Sequence, residues 1–580
     1  MGHKSDLCIR IGGEGGEGII SSGDILAQAA AKAGLEVLTF KTFPAEIRGG
    51  YAMYQIRMSS EKILSEGDGF QVLVVFNKEA LDNNINKLKA GNVLIWDGPE
   101  GGDINELPEV PEGVIVYNLP MSKLAKVDLG VYRSKNMVCM GALSELFNIP
   151  VDRLKEIINN RFGKKGQDIV DLNYKALQLG IDYVKENHQG ISNPYNVVAQ
   201  EQNKDVIIMS GNDAVGLGAL MAGCNFFACY PITPATEIAY WVAKHLVKKG
   251  GTVVQTEDEI SSIGAVVGAS FAGAKAMTGT SGPGLSLMTE ILGLGVMVEA
   301  PLVICDVQRG GPSTGLPTKH EQSDLFLACY GGHGDFPRIV LSAENVADCV
   351  DLTIHAFNLA EHYQTPVILL TDGSLGFRTE TFEAPDINKV KVVNRKMYNP
   401  DTDGEFLRYK FTEDNISPTA IPGMEGCAHM QTGLEHNEKG SPNYGPVFHT
   451  KNTEKRFNKI ANAEDFFESS HSDIEEGATV GVVTWGSTQG SVREAVQQAR
   501  EAGVKVSAFY PKLVWPFPMK AFNEFLKTVD KILVPEVNYQ GQLAEIIKTK
   551  EIGKEIIKYN IYGGLPFEPQ EIAKKIKEVQ

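Results

Sequence analysis

The chain has 580 residues, 43% hydrophobic and 22% charged, an ordinary soluble composition at several times the length of a single-core domain. Its formal net charge of −17 argues against nucleic acid as a generic partner, because phosphate binding is driven by clustered Lys and Arg. The 60 glycines favour an α/β class rich in tight strand-to-helix turns, and the 8 cysteines include no CxxC pair, so that spacing encodes neither a zinc ribbon nor a cysteine-ligated iron–sulfur cluster.

The opening MGHKSDLCIRIGG enters a strand too early for a signal peptide, and Asp6 breaks a myristoylation pattern. A cytoplasmic protein is expected, with its cysteines as small, reduced core residues. The most apolar long run, 282–307, is interrupted by Glu290 and Glu299 and punctuated at Ala300-Pro301. It therefore reads as a buried helix plus a strand, not as a membrane span.

A first domain is expected over 1–188. The apolar run 7–11 ends in GGEGGEGII and leads into a helical pattern over 21–33, a strand–turn–helix unit in which Gly13, Gly15 and Gly18 satisfy GxGxxG. The dinucleotide interpretation fails on its second requirement. The next strand, LEVLTF, ends in Phe40-Lys41 without a ribose-binding carboxylate, and Glu14 and Glu17 would oppose a pyrophosphate. Arg48 in FPAEIRGGYAMYQIRMS belongs to a turn that closes an interface or contacts an anion. The string Gly67-Asp68-Gly69, with Asn83 and Asn84 downstream, is too short in spacing for a thiamine diphosphate metal motif. Helical patterns follow at 134–147, 151–160 and 176–186. A polar, turn-rich linker occupies 189–204.

From residue 205 to 385 the pattern becomes a regular strand–helix alternation. Apolar runs at 207–209, 226–229, 252–255, 276–278 and 302–305 each lead into a helix or loop, which predicts a parallel sheet with its ligand edge at the strand carboxyl ends. At those ends lie YPITPAT, QTEDEISSIGAVVGAS, TGTSGPGLSLM and ICDVQRGGPSTGLPT. Glu259 is a carboxylate in the first turn of a helix that continues as the small, apolar IGAVVGAS. It serves proton transfer or acts only as a helix N-terminal acid, for which Glu257 and Asp258 are equally eligible. TSGPG supplies hydroxyls and amides at a helix start. Arg309 precedes a glycine- and proline-rich loop, where it clamps a carboxylate in a bidentate fork or is a surface charge.

Residues 386–475 are polar, turn-rich and weakly periodic, too long for a plain loop, and are expected to wrap neighbouring domains. His429, His436 and His449 in that stretch lack ligand spacing and read as surface or interface residues. A final α/β domain, 476–580, alternates VGVVTW, VKVSAFY and KILVPEV with helices.

Together these motifs resemble the α subunit of 2-oxoacid:ferredoxin oxidoreductases with the family's γ domain fused at the N-terminus. GGEGGEGI and FPAEIRGG resemble the γ domain, and GNDAVGLGAL, YPITPAT, EDEISSIGAVVGAS, TSGPGLSLM and QRGGPSTGLPT resemble the pyrimidine-side domain. The resemblance implies a multidomain α/β fold: an N-terminal γ domain, a parallel pyrimidine-type thiamine diphosphate domain and a C-terminal transketolase-C-like domain. It implies decarboxylation of a 2-oxoacid, single-electron transfer to ferredoxin and acyl transfer to coenzyme A. Glu259 matches the glutamate that hydrogen-bonds the cofactor's aminopyrimidine and promotes its imino tautomer. Ile232, Pro234, Thr280, Ser281 and Gly282 are expected to contact the cofactor, and Thr233 and Arg309 match positions that touch the oxoacid.

PSTGLPT with EHNEKGSPNYGP resembles the 2-oxoglutarate-type enzymes most, giving succinyl-CoA as product, with Ser313, Thr314 and Lys319 as candidates for the distal carboxylate. Pyruvate, branched-chain oxoacids and indolepyruvate are alternative substrates. The chain itself is expected to bind no metal. No GDG with a correctly spaced Asn and no cysteine cluster occurs, so a separate β subunit is implied that carries the diphosphate and Mg²⁺ site and a [4Fe-4S] cluster, in an (αβ)2 assembly. A noncatalytic assembly subunit and a carboligase without an electron acceptor are the competing classes.

Overall fold

A computed structural model describes residues 6–44, 49–98, 109–188, 194–201 and 205–580. Arg48 and parts of the predicted linker lie outside the described residues. The described chain forms two compact units, residues 1–209 with 378–384, and residues 210–377 with 385–580.

In the first unit, strands β1 (Asp6–Glu14), β2 (Glu36–Thr42), β3 (Tyr51–Ser59), β4 (Val72–Val75), β5 (Val93–Trp96), β6 (Ile115–Asn118) and β7 (Val206–Ser210) enter one eight-stranded sheet. Its order is β6-β5-β4-β1-β3-β2, then Thr379–Glu383, then β7. β1 runs antiparallel to β3, with Ile9 opposite Ile56, and parallel to β4. The glycine turn after β1 starts the helix Ile19–Lys32 at Gly18, whose φ of 87° suits a residue without Cβ. Glu17 in that turn is bound by the buried Lys135 ammonium at 2.5 Å, so the Glu17 charge is neutralised internally. The last helix of this region runs Gln167–Asn187, longer than its pattern predicts because its first turns, QDIVDLNYK, are largely polar.

The second unit contains two sheets. Strands β8 (Phe226–Cys229), β9 (Thr252–Gln255), β10 (Ala276–Thr280), β11 (Leu302–Gln308), β12 (Ile339–Ser342) and β13 (Pro366–Asp372) are mutually parallel. Thr379–Glu383, β14 in chain order, pairs with β2 of the first sheet. Then come β15 (Ser470–Asp473), β16 (Val480–Val483), β17 (Val506–Pro511), β18 (Leu513–Trp515), β19 (Lys531–Glu536) and β20 (Glu555–Asn560). The seven-stranded sheet has the order β18-β12-β13-β11-β10-β8-β9, and the five-stranded sheet β15-β17-β16-β19-β20.

Strand 207–209, expected to open the central sheet, instead lies at the edge of the eight-stranded sheet beside β14. A short apolar run shows that a strand exists but not which sheet it joins. The central strands are buried throughout β10, β11, β12 and β13, as parallel strands covered on both faces must be. Residues 386–445 are largely irregular and lead into the helix Pro446–Asn458. Polar clamps pin this segment: Lys455 and Lys459 grip the buried Glu299 at 2.7 and 3.2 Å, and Arg395 grips Glu361 at 2.6 Å. Buried His436 faces the Met297 carbonyl, whereas His449 is exposed and pairs with Glu435. All eight cysteines are buried and free.

Candidate active site

In the seven-stranded sheet the chain steps from β8 outward to β9 and then returns past β8 to β10 and β11. This reversal separates the loops leaving β8 and β10, and such a switch point is where open parallel sheets bind ligands. All four motif stretches singled out in the sequence leave the sheet at that edge.

The loop after β8 turns at Ile232, whose carbonyl accepts from the Ala235 N–H at 2.8 Å, and the Pro234 carbonyl accepts from Asn212 Nδ2 at 2.8 Å. After β9, Asp258 caps the helix Glu259–Phe271 by accepting the Ser261 N–H at 2.7 Å. The Thr256 and Ser262 hydroxyls meet at 2.6 Å and brace the same turn. Capping by Asp258 assigns the three acids of TEDE separate roles. Glu257 is exposed, Asp258 holds the helix start, and Glu259 is 6% exposed with its side chain turned into the sheet edge.

After β10, the helix Gly282–Met297 begins at Ser281. Gly284 in its first turn permits the approach of Glu259. A Cβ there would lie 2.0 Å from Thr280 Oγ1, 2.7 Å from Glu259 Cγ and 2.8 Å from Glu259 Oε1. The Ser281 hydroxyl is fully buried and, among the described residues, has no hydrogen-bond partner. An orphaned hydroxyl, a carboxylate and a glycine-walled floor fit the polar edge of a flat heterocycle such as an aminopyrimidine.

After β11, Arg309 is 7% exposed and donates from Nη1 to the Thr233 carbonyl at 2.7 Å, while its Nε has no acceptor among the described residues. Burial pulls the guanidinium below its usual range, and the charges of Asp324 and Glu259 oppose that pull. The structure thus brings together Thr233, Pro234, Glu259, Thr280, Ser281, Gly282 and Arg309, with Ile232 half-exposed beside them. Ser313 and Thr314 are exposed on a loop folded back by the Leu316 N–H to Gly310 carbonyl bond of 2.7 Å. The Lys319 backbone returns to the sheet edge, and its side chain runs past Gly564. Its carbonyl lies 3.9 Å from the position a Gly373 Cβ would take, as Pro234 does at 3.7 Å, and burial lowers the basicity of its half-buried amine.

Further acidic groups outside the motif residues stand at this edge. Asp306 stands near the end of β11, fully buried, and Asp324 approaches Gly282 from the loop beyond. His320 Nδ1 meets Asp372 at 3.1 Å, and Asp372 also accepts the Ser487 hydroxyl at 2.6 Å. A lone acid inside the apolar run LVICDV was a legible signal for Asp306, because a buried strand position excludes an acid without a reason. The partners of Asp372 come from distant segments, and nothing local announces them. No group of three or more His, Cys, Asp or Glu among the described residues is arranged to hold a metal, and no described helix is long and apolar enough to cross a membrane.

Comparison with known proteins adds to this geometry. Residues 217–455 match the family model for the thiamine diphosphate-binding part of pyruvate flavodoxin/ferredoxin oxidoreductase. Residues 8–183 match the pyruvate ferredoxin/flavodoxin oxidoreductase model, and residues 478–572 match core domain II of pyruvate:ferredoxin oxidoreductase. The 2-oxoglutarate oxidoreductase subunit KorA of Mycobacterium tuberculosis is 35% identical over 94% of this chain and 87% of its own length. The α subunit of 2-oxoacid:ferredoxin oxidoreductase 2 of Aeropyrum pernix is 30% identical over 99% of this chain and 98% of its own. A solved structure of 2-oxoglutarate:ferredoxin oxidoreductase from Magnetococcus marinus, with 2-oxoglutarate, coenzyme A and succinyl-CoA bound, is 55% identical with a TM-score of 0.95, covering 99% of both chains.

Proposed function

Because the chain belongs to the α subunits of the 2-oxoacid:ferredoxin oxidoreductases, a thiamine diphosphate-dependent family, we propose that its switch-point cleft binds the aminopyrimidine and the oxoacid during oxidation of 2-oxoglutarate. The products are succinyl-CoA, CO2 and reduced ferredoxin. The observation that carries this is the convergence of Glu259, walled by Gly284 and Thr280, with Arg309 held on the Thr233 carbonyl. The 55% identical enzyme whose structure holds 2-oxoglutarate, coenzyme A and succinyl-CoA supports the choice of oxoacid.

Bound thiamine diphosphate supplies the carbon nucleophile and the electron sink that decarboxylation requires. This chain's residues do the rest of the positioning. Glu259 holds a proton at a ring nitrogen, with Ser281 Oγ and the Gly282 backbone along the polar edge and Ile232, Pro234 and Thr280 enclosing it. Arg309 presents its remaining N–H groups to the substrate's 1-carboxylate beside Thr233. Lys319, whose backbone lies at the same edge and whose half-buried side chain starts out past Gly564, receives the distal carboxylate. Ser313 and Thr314 on the exposed loop are its secondary contacts.

The diphosphate, its Mg²⁺ and a [4Fe-4S] cluster belong to a β subunit in an (αβ)2 complex that passes electrons to ferredoxin. Ile260 and Leu287, large apolar side chains 45% and 50% exposed on the helices that carry Glu259 and Gly284, favour a protein partner covering this rim. Eight free cysteines suit the reducing cytoplasm, where ferredoxin and coenzyme A are available. The domain division we propose is 1–188, 205–385 and 476–580, with 386–475 as the wrapping segment, except that both ends of 205–385 (β7 and β14) lend their strands to the first sheet.

The purified complex, offered 2-oxoglutarate, pyruvate, branched-chain oxoacids and indolepyruvate with coenzyme A and a viologen acceptor, is expected to reduce the acceptor with 2-oxoglutarate at the highest kcat/KM. Preference for another oxoacid would overturn the substrate assignment. Turnover without any acceptor would place the enzyme among the carboligases.

A further inference from the structure

The C-terminal sheet has a ligand edge of its own. β16 runs parallel to β17 on one side and to β19 on the other, and the chain visits β17 before it crosses back to β19. The loops leaving β16 and β19 therefore flank a switch point, the crevice in which an open parallel sheet holds its ligand. Here that crevice holds the returning end of the loop that follows Arg309.

Gln322, 1% exposed, is the residue inserted there. Its Oε1 accepts from the Thr488 hydroxyl at 2.7 Å, and its Nε2 donates to Asp372 Oδ2 at 3.2 Å and to the Ser487 hydroxyl at 3.4 Å. Its N–H donates to the Val537 carbonyl at 2.8 Å, and its own carbonyl accepts from Asn538 Nδ2 at 3.0 Å. A Cβ on Gly486 would stand 2.4 Å from Gln322 Nε2, so that glycine leaves the room the amide fills. Beyond it, the Gln542 side chain donates to the Ser323 carbonyl at 2.7 Å and accepts the Phe326 N–H at 2.8 Å. Each polar atom of Gln322 is thereby used, by groups from both sides of the crevice.

The same seam reaches the residues assigned to the substrate. Asp372, which binds the Gln322 amide, pairs in register with Gln308, the residue before Arg309. The His320 N–H donates to the Gly564 carbonyl at 3.3 Å, and a Cβ on Gly564 would stand 2.9 Å from Lys319 Cβ. Residues 311–316 are exposed, so Lys319 takes its place from the Gly310 N–H on its carbonyl at 3.2 Å and from the buried seam that starts at His320.

Resting on the assignment of Lys319 to the distal carboxylate, we propose that the C-terminal domain serves the reaction by holding this loop at its switch point, with Gln322 as the positioning residue that fixes Lys319 for a dicarboxylic oxoacid. In this role Gln322 touches neither cofactor nor substrate. Its loss loosens the placement of Lys319 and weakens oxoacid binding more than the step that follows.

The test uses the assembled complex. Gln322→Met keeps the length of the side chain and removes its hydrogen bonds; KM for 2-oxoglutarate is expected to rise about 10-fold with kcat within about twofold of wild type. Thr488→Val, made on the C-terminal domain, removes the donor to Oε1 alone and should raise KM about 3-fold. Gln322→Glu keeps the acceptor for Thr488 but sets a second carboxylate against Asp372. Its KM should exceed that of Gln322→Met at pH 8 and approach wild type at pH 6, because burial and Asp372 favour the protonated carboxyl, which donates as the amide does. The other charged groups here, His320 against Asp372 and Glu536 behind Asn538, are common to all the variants, so KM relative to wild type at the same pH isolates the added carboxyl.

Hydrogen exchange supplies a readout without turnover. In the wild-type complex the segment 319–326 should be protected like β19, and in Gln322→Met it should exchange at least about tenfold faster while β16 and β19 stay protected. Unchanged KM in Gln322→Met and Thr488→Val would overturn the proposal. So would an unprotected 319–326 in the wild type, or faster exchange spread equally through β16 and β19, which would make Gln322 a stability residue only. A wild-type complex without 2-oxoglutarate turnover would count against the functional assignment instead, and the protection of 319–326 would still decide whether the loop is held.

Discussion

Replacing Gly284 by Ala probes the contact on which the proposed cofactor site depends. The added methyl would sit 2.0 Å from Thr280 Oγ1, where ordinary contact begins at 3.4 Å, so one side must move by more than an ångström. It would also sit 2.8 Å from Glu259 Oε1 and push that carboxylate away from the cleft floor. Overpacking of this kind destabilises by about 1–3 kcal/mol. Misplacing a proton-transfer group by about 1 Å lowers turnover by about 10²-fold, so the smaller shift forced on Glu259 should cost about 10-fold or more. The complex carrying Gly284→Ala is expected to assemble, melt several degrees lower, and lose most of its 2-oxoglutarate-dependent viologen reduction. Adding Thr280→Ala removes the worst clash but not the one with Glu259, so the double variant should recover melting temperature more than kcat. Wild-type turnover in Gly284→Ala would show that Glu259 need not occupy its position, and the cofactor assignment would fail.

Other outcomes follow from the same structure. Arg309→Lys keeps the charge but loses the fork, and KM for 2-oxoglutarate should rise by about 10-fold or more, measured by steady-state kinetics. Lys319→Met should raise KM for 2-oxoglutarate selectively, leaving any activity on monocarboxylic oxoacids unchanged. Glu299→Gln leaves buried Lys455 and Lys459 without their anion, and chemical denaturation should register a loss of about 3–5 kcal/mol. Asp372 is buried, which alone would raise its pKa, but His320, the Ser487 hydroxyl and the Leu375 N–H lower it from 3.8 to about 2. A depressed folded pKa contributes stability above the unfolded value that is lost as pH falls from about 4 towards 2, on the order of 2 kcal/mol. Denaturant midpoints measured across that window should fall in the wild type and fall less in His320→Gln.

The central sheet was legible because apolar runs at 226–305 alternate with helical patterns, and its ligand edge followed from that alternation. Local pattern did not decide which of Glu257, Asp258 and Glu259 enters the sheet edge; only the family resemblance pointed to Glu259. That selection depends on Asp258 capping the helix and on Gly284 yielding space across the sheet edge. β14, TETFE, is too polar to announce a strand, and β7 carries no mark of its sheet. Asp306 is conspicuous inside its apolar run, whereas Asp324 looks like an ordinary loop acid until the space left by Gly282 admits its carboxylate.

In the proposed complex this chain supplies the proton-handling half of a shared active site. Steady-state turnover of 2-oxoglutarate with coenzyme A and ferredoxin by the complex carrying Glu259→Gln tests it most directly. The predicted result is a fall in kcat of about 10²-fold or more with subunit assembly and melting temperature retained. Turnover equal to the wild type in that complex would mark the chain as an assembly subunit and contradict the claim.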